Sequence, residues 1–434
     1  MKSMSTFQII VTAIFVALII VGVGVFALFG GAFGNSSIGA VTVWGTADGQ
    51  AMDNILQTLR SQDKSFQDVN YVQRDPATYQ SDLINAIAAG RGPDLFMMNN
   101  EQVGAFADKI ATIPYGTVSQ SSYINSYVSE ASVFLNSAGA WALPFTVDPL
   151  VMYYNRDLLS SAGVGQVPQY WNDILAVAPK ITSLDSSQNV QRSAVALGTW
   201  SNVQDAKAIL SALFMQAGDP IIGRDGQGYL TSVFGQTPAN SAENPAQSAL
   251  QFYTEFANPS KTSYSWNRSL PNSMQAFVAG DLAIYFGFAS ELGALAQQNP
   301  NLHFGVAVLP QLQGSSVHLT YGLLTGLAIP HNAANAKGAL VIAQKLTSQA
   351  AIQAVVAATG LPAVRTDVGV DTSANAAAQV FSQSALIARG WFDPNAAATD
   401  GIFKAMIESV TTGKSDPAQA VTDASQSFTA LFSH

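Results

Sequence analysis

The sequence predicts an α/β protein of two lobes preceded by one N-terminal transmembrane helix, and three observations predict it. Residues 7–33, FQIIVTAIFVALIIVGVGVFALFGGAF, carry no charge, and a run of that length can cross a hydrocarbon core of about 30 Å. The chain that follows alternates short β-branched runs with helical periodicities, the pattern of a sheet covered by helices. With 434 residues in all and 48% hydrophobic side chains, the exported part is too long for one core, because cores stop growing near about 250–300 residues. Two lobes are the expected solution.

Cationic character at the start is confined to Lys2 and the α-amino group, with no further charge before Asp48. The positive-inside bias therefore leaves the N-terminus in the cytoplasm and the domain extracellular or periplasmic, on a single-pass cell-membrane protein. A cleavable signal peptide has a shorter apolar region of about 7–15 residues, whereas this run is longer and ends in GGAFGNSS. Residues 1–34 are read as an uncleaved anchor, with a signal sequence as the alternative, and 35–40 as a tether. The chain has no cysteine, which excludes disulfides and a lipid-modified cysteine, so the helix must hold the domain at the membrane. A net charge of −9 with only 19 Lys+Arg argues against a nucleic-acid partner, which needs a basic stripe to displace counterions.

The exported part begins with VTVW (41–44), a buried strand ended by Gly45. Helical spacing follows over 52–59, a strand over 69–72, a helix over 79–89 and, after Gly92-Pro93, a strand over 94–98. The next clear strand is 150–154, and Pro168 opens a helix with Trp171, Ile174, Leu175 and Ala178 on one face. Helices are expected over 205–217 and 245–256, then a turn-rich stretch over 258–271. Residues 274–278 lead through Gly280-Asp281 into a buried strand over 282–286. Strands at 304–308 and 325–329 bracket a loop, and 334–346 returns to helix. No internal repeat is present, so a solenoid is excluded.

Several stretches, in order, resemble one family: VTVWGTADG (41–49), YQSDLINAIAAGRGPDLFMMN (79–99), ALPFTVDPLVMYYNRDLLSSAGV (142–164), AFVAGDLAIYFGFAS (276–290), FGVAVLPQ (304–311), YGLLTGLAIPHNAANAKGALVIAQKLTS (321–348) and GLPAVRTD (360–367). Together they resemble the bacterial extracellular solute-binding proteins, family 1, the maltose-binding-protein-like components of ABC importers. The resemblance covers nearly all of the exported part and implies a type II periplasmic-binding-protein (Venus-flytrap) fold. It places an N-terminal lobe at 41–147 plus 325–370 and a C-terminal lobe at 148–322 plus 371–434. Crossings between them fall near 145–148, 320–325 and after Asp367. It implies a monomer that traps a small solute, most often a carbohydrate, and hands it to a membrane permease.

A sugar cleft needs aromatic faces and hydroxyl-binding carboxylates and amides. Trp44 and Asp48 end the first strand, where open α/β sheets place ligands; packing and helix capping are their alternatives. Asn99, Asn100 and Glu101 follow the strand over 94–98 in the same way. The resemblance adds Asp148 at the first crossing, Tyr321 at the second, Phe288 at a strand-end turn that lacks the family's Gly-Pro-Trp, and Trp391 over the ligand. Trp200 and Trp266 lie in turn-rich stretches near expected cleft rims. Trp141 and Trp171 read as structural.

Catalysis, cofactor and metal are not expected. His303, His318, His331 and His434 lack zinc-ligand spacing. Tyr153-Tyr154 sits in a strand, where successive side chains take opposite faces. Ser61-x-x-Lys64 has no companion motifs, and Gly22-Val23-Gly24 lies in the apolar run. Asp48, Glu101 and Asp148 could converge as a hydrolase's carboxylates, and a sensory module using the same fold remains an alternative. Acidic cleft residues suit a polyamine as well as a sugar.

Overall fold

A computed structural model describes residues 38–239, 243–369 and 376–432. The expected membrane span at 7–33 lies outside them, and among the described residues no single helix is long and apolar enough to cross a membrane.

The first three strands, Val41–Gly45, Val69–Gln73 and Leu95–Asn99, are parallel, with the first in the centre. Alternating burial along VTVWG puts Val41 and Val43 into the core, as period-two patterning requires. Parallel strands ending on the same side bring the loops after Gly45 and Asn99 to one edge. Helix Gly49–Gln62 starts at an Asp48 cap and buries Met52, Ile55, Leu56 and Leu59, the i, i+3, i+4, i+7 stripe of an amphipathic helix.

Two long strands join this unit to a second one. Leu143–Asn155 and Thr320–Ala328 run antiparallel, pairing Leu143 with Leu327 and Pro149 with Gly322. Beyond Pro149 the first strand leaves its partner and pairs with Leu282–Phe288 and Phe304–Val308. The hydrophobic side chains change allegiance at the same points. Val147 and Leu324 belong to a core with Val41, Leu83 and Phe96. Leu150 and Tyr321 belong to another, with Phe214, Ile284 and Phe428. A third connection, Ala388–Arg389, pairs in parallel with Thr320 and Tyr321. The preceding helix, Ala376–Ile387, has Ala377 and Phe381 in the second core and Ala385 in the first.

Both crossing strands begin earlier than their sequence pattern predicts, because Pro144, Pro149 and Gly322 read as breaks. Their roles here are different. A Cβ on Gly322 would collide with the Glu130 carboxyl, and one on Gly326 with Phe134 and Ala142, so these glycines permit close packing within a continuous strand. Helices Gln349–Thr359, Ala396–Thr411 and Pro417–Ala430 have no counterpart in the sequence reading. Their alanine-rich sequences carry little apolar contrast between faces.

Candidate functional site

A cavity of about 350 Å³ lies where the two units meet, at the small end of the roughly 300–1,000 Å³ range of ligand pockets. Thr46 and Ala47 reach it from the end of the first strand, and Met97, Met98, Asn99 and Gln102 from the third. The crossing strands form its floor through Phe145, Thr146, Asp148, Leu323 and Thr325, while Ser290 enters from the C-terminal lobe and Leu361 from the loop after Gln349–Thr359. Among the described residues no lysine or arginine lines it.

Asp148 Oδ1 accepts the Ser290 N–H at 3.0 Å. Burial pushes its carboxyl up to about 7 despite that bond, and nearby Glu291 adds to the shift. Glu291 Oε2 accepts the Tyr285 hydroxyl at 2.5 Å, and its carboxyl is also raised, mainly by burial. Asp205, at the N-terminus of helix Ala206–Ala217, holds a left-handed backbone with φ 55°, which is strained for a residue with a Cβ. Its Oδ2 is buried without a conventional donor, and the group facing it is the Glu291 carboxyl. Burial first, and then the neighbouring Glu291 carboxyl, raises the Asp205 carboxyl well above the usual carboxylate range.

A second polar group joins the two lobes. Glu101 Oε1 accepts the Tyr321 hydroxyl at 2.8 Å and lies 3.9 Å from Lys207 Nζ of the opposite lobe. Lys207 also pairs with Asp393 at 2.8 Å and Asp400 at 2.9 Å. Burial alone would lower the Lys207 ammonium, and these three carboxylates reverse the shift. Burial raises Glu101, with Lys207 opposing. Gly104 sits so close to the Asp393 and Pro394 carbonyls that a Cβ would collide with both. The lobes therefore touch here through backbone.

Of the eleven residues expected at a site, the structure brings Asn99 and Asp148 to the cavity wall and Glu101 and Tyr321 to the cross-lobe group. Asn100 is fully buried, accepting the Leu324 N–H at 3.0 Å and donating to the Tyr321 hydroxyl at 3.2 Å; it fixes the strand beneath. Phe288 is half-buried, its ring 6.4 Å from that of Tyr321.

The other five lie outside the cavity wall. Trp266 is wholly inside the C-terminal core, its indole N–H on Asn202 Oδ1 at 3.2 Å. Trp391 stacks on Phe403 and donates to Ser211 Oγ at 3.1 Å in the same core. Trp200 packs half-buried against it. Trp44 is half-buried with the Arg74 guanidinium 3.4 Å above its ring. Asp48 caps its helix by accepting the Ala51 N–H at 2.8 Å. In each case the apolar or capping role of the side chain outweighs its polar one. Thr46, Gln102, Thr146, Ser290 and Thr325 were missed, since hydroxyl and amide residues at strand ends are common and carry no distinctive pattern. Lys207 did have a signal, a lone cation in the apolar run AKAILSALF. Among the described residues no three His, Cys, Asp or Glu side chains are grouped to hold a metal.

A family model for bacterial extracellular solute-binding proteins matches residues 44–353. A binding protein from Brucella abortus (strain 2308) is 20% identical over 254 residues, 58% of this chain and 58% of its own length, so the chain spans little more than half of that relative. Among solved structures, a cyclic α-maltosyl-1,6-maltose binding protein from Arthrobacter globiformis superposes with TM-score 0.72 at 17% identity, covering 90% of this chain and 98% of that one. UgpB from Mycobacterium tuberculosis, in complex with glycerophosphocholine, gives TM-score 0.69 at 18% identity, covering 91% and 98%. A solute-binding protein from Thermotoga lettingae bound with α-D-tagatose gives 0.66 at 19%, covering 91% and 100%. At these identities the likeness shows a shared fold.

Proposed function

The chain belongs to the bacterial extracellular solute-binding protein family, and on that premise we propose that it captures a small hydroxylated solute, a carbohydrate of about monosaccharide size, between its lobes. As a membrane-tethered, non-catalytic receptor, the protein then delivers this solute to the permease of an ABC importer. The observation that carries it is the polar cavity at the strand crossings. Its side chains offer both donors and acceptors, as a polyol needs, and no lysine or arginine among them would select an anion. The small volume and the single aromatic lining residue, Phe145, favour one sugar ring over the stacked rings of an oligosaccharide.

In this reading Asp148 and Asn99 hold solute hydroxyls with Thr46, Gln102, Thr146, Ser290 and Thr325, and the Glu101–Lys207 contact latches the closed state. Closure follows the solute only so far as the closed state binds it better. The reading is tested by calorimetry against monosaccharides, oligosaccharides, glycerol phosphodiesters and spermidine, with chromatography of the recovered ligand. Saturable binding of one monosaccharide, recovered intact, is expected. Binding of spermidine alone would replace the ligand class, and a hydrolysed product would replace the receptor reading by an enzyme.

A further inference from the structure

A second cavity, of about 480 Å³, shares no lining residue with the cleft. The crossing strand Thr320–Ala328 lies between them, with Leu323 and Thr325 on the cleft and Gly322 against Glu130 of the second cavity. The cavity walls come from both lobes, with Leu135 and Trp141 on one side, Met215 and Ile222 on the other, and Arg389 and Phe392 of the third connection between them.

Two features point to a ligand. Glu130 lines this cavity at 2% exposure, and neither carboxyl oxygen has a hydrogen-bond partner among the described residues. It presses on Gly322 and Gly390, where a Cβ would crowd it. Leu323 and Thr325 face the cleft, and side chains alternate along a strand, so at Gly322 the carboxyl occupies the strand's other face. The second feature is charge. Arg224 donates to the Gly228 carbonyl at 2.9 Å and Arg389 to the Ala388 carbonyl at 2.7 Å. Neither forms a salt bridge among the described residues. Burial pushes Glu130 up to about 8 against the pull of Arg389, and the two guanidinium groups outnumber this one carboxyl in either of its protonation states. The cavity is thus apolar, net positive and furnished with an unused hydrogen-bonding group.

We propose that this cavity is a second small-molecule site, taking a compact carboxylic acid with an aromatic body. The carboxylate meets the arginine charge, for which guanidinium geometry is suited, and the ring lies among Trp141, Phe392 and the aliphatic wall. Because the site stands apart from the cleft, its occupancy does not rest on the transport reading.

Equilibrium dialysis of the full chain at pH 7 with indole-3-acetate, and separately with neutral indole-3-acetamide, tests it. Saturable one-to-one binding of the acid is expected, with the amide about tenfold weaker. Arg224→Gln, at an exposed position, should weaken the acid by about five- to tenfold without loss of folding. Ile222→Trp should fill the cavity and abolish binding, and the cleft variant Thr46→Ala should bind the acid as wild type does. Absence of saturable binding to the wild type, equal binding of acid and amide, or loss in Thr46→Ala but not in Arg224→Gln would overturn the site.

Discussion

The two walls of the cleft are built from different chemistry. The N-terminal lobe presents Thr46, Asn99 and Gln102, uncharged groups on the ends of parallel strands. Behind Ser290 the C-terminal lobe gathers acids: Asp148 from the crossing strand, then Glu291 and Asp205, all raised chiefly by burial. Amides and hydroxyls keep the same hydrogen-bonding capacity at any ordinary pH. Crowded buried acids do not, since each must shed or share a proton as its surroundings change. One wall is therefore a fixed template, and the other responds to pH and to what is bound.

The largest test of that contrast is Lys207→Met. It leaves Asp393, which is fully buried, without its cation, and breaking a buried pair on one side costs about 3–5 kcal/mol. Urea unfolding should show the loss, and Lys207→Met with Asp393→Asn should recover part of it. If Lys207→Met unfolds like wild type, the charge network does not hold the C-terminal wall.

Asp148→Asn comes next. Solute affinity should fall about 10- to 100-fold, as for loss of a charge-assisted acceptor worth about 1.5–3 kcal/mol, with the melting temperature unchanged or higher because a costly buried acid is gone. In the wild type, affinity should rise with pH through about 7 as Asp148 ionises. A pH-independent affinity would move solute recognition to the N-terminal wall.

Glu130 sharpens the comparison from the N-terminal lobe, where it and Glu101 are raised by burial as the acids opposite are. It faces Arg389 and lies near Asp148 and Tyr321. Its folded pKa, about 8, stands above the ordinary carboxyl value, so the folded state binds the extra proton. Its stabilising effect is complete below the unfolded pKa and is lost as pH rises to about 8, at up to about 1.4 kcal/mol per pH unit. Glu130→Gln should flatten this fall in melting temperature between pH 5 and 8. An unchanged slope would assign the pH dependence to the cleft acids.

The smallest effect is expected at the outer edge of the fixed wall. Asp48→Ala removes a helix cap, costing about 1 kcal/mol of stability, and should leave solute affinity within about twofold. A larger loss of affinity would return Asp48 to the site.

The tryptophans show where legibility ended. Trp200, Trp266 and Trp391 stand beside turn residues in the sequence, as rim aromatics would, and the one-dimensional pattern does not say which way a ring points. In the fold Trp266 and Trp391 find polar partners for their N–H groups inside the core, Asn202 and Ser211, so their burial carries no penalty. Asp148 and Asn99 were legible because a strand end and a lobe crossing are positions with consequences for direction.

By itself the sequence determined the alternation of strand and helix, the two-lobed α/β class and the family, since these rest on periodicities and on residues adjacent in the chain. Only the tertiary structure decided that Pro149 and Gly322 lie within paired strands, that Glu101 meets Lys207, and that Asp205 meets Glu291. Each of those contacts joins residues 86 or more positions apart, and the burial that tunes them exists only once both cores have formed.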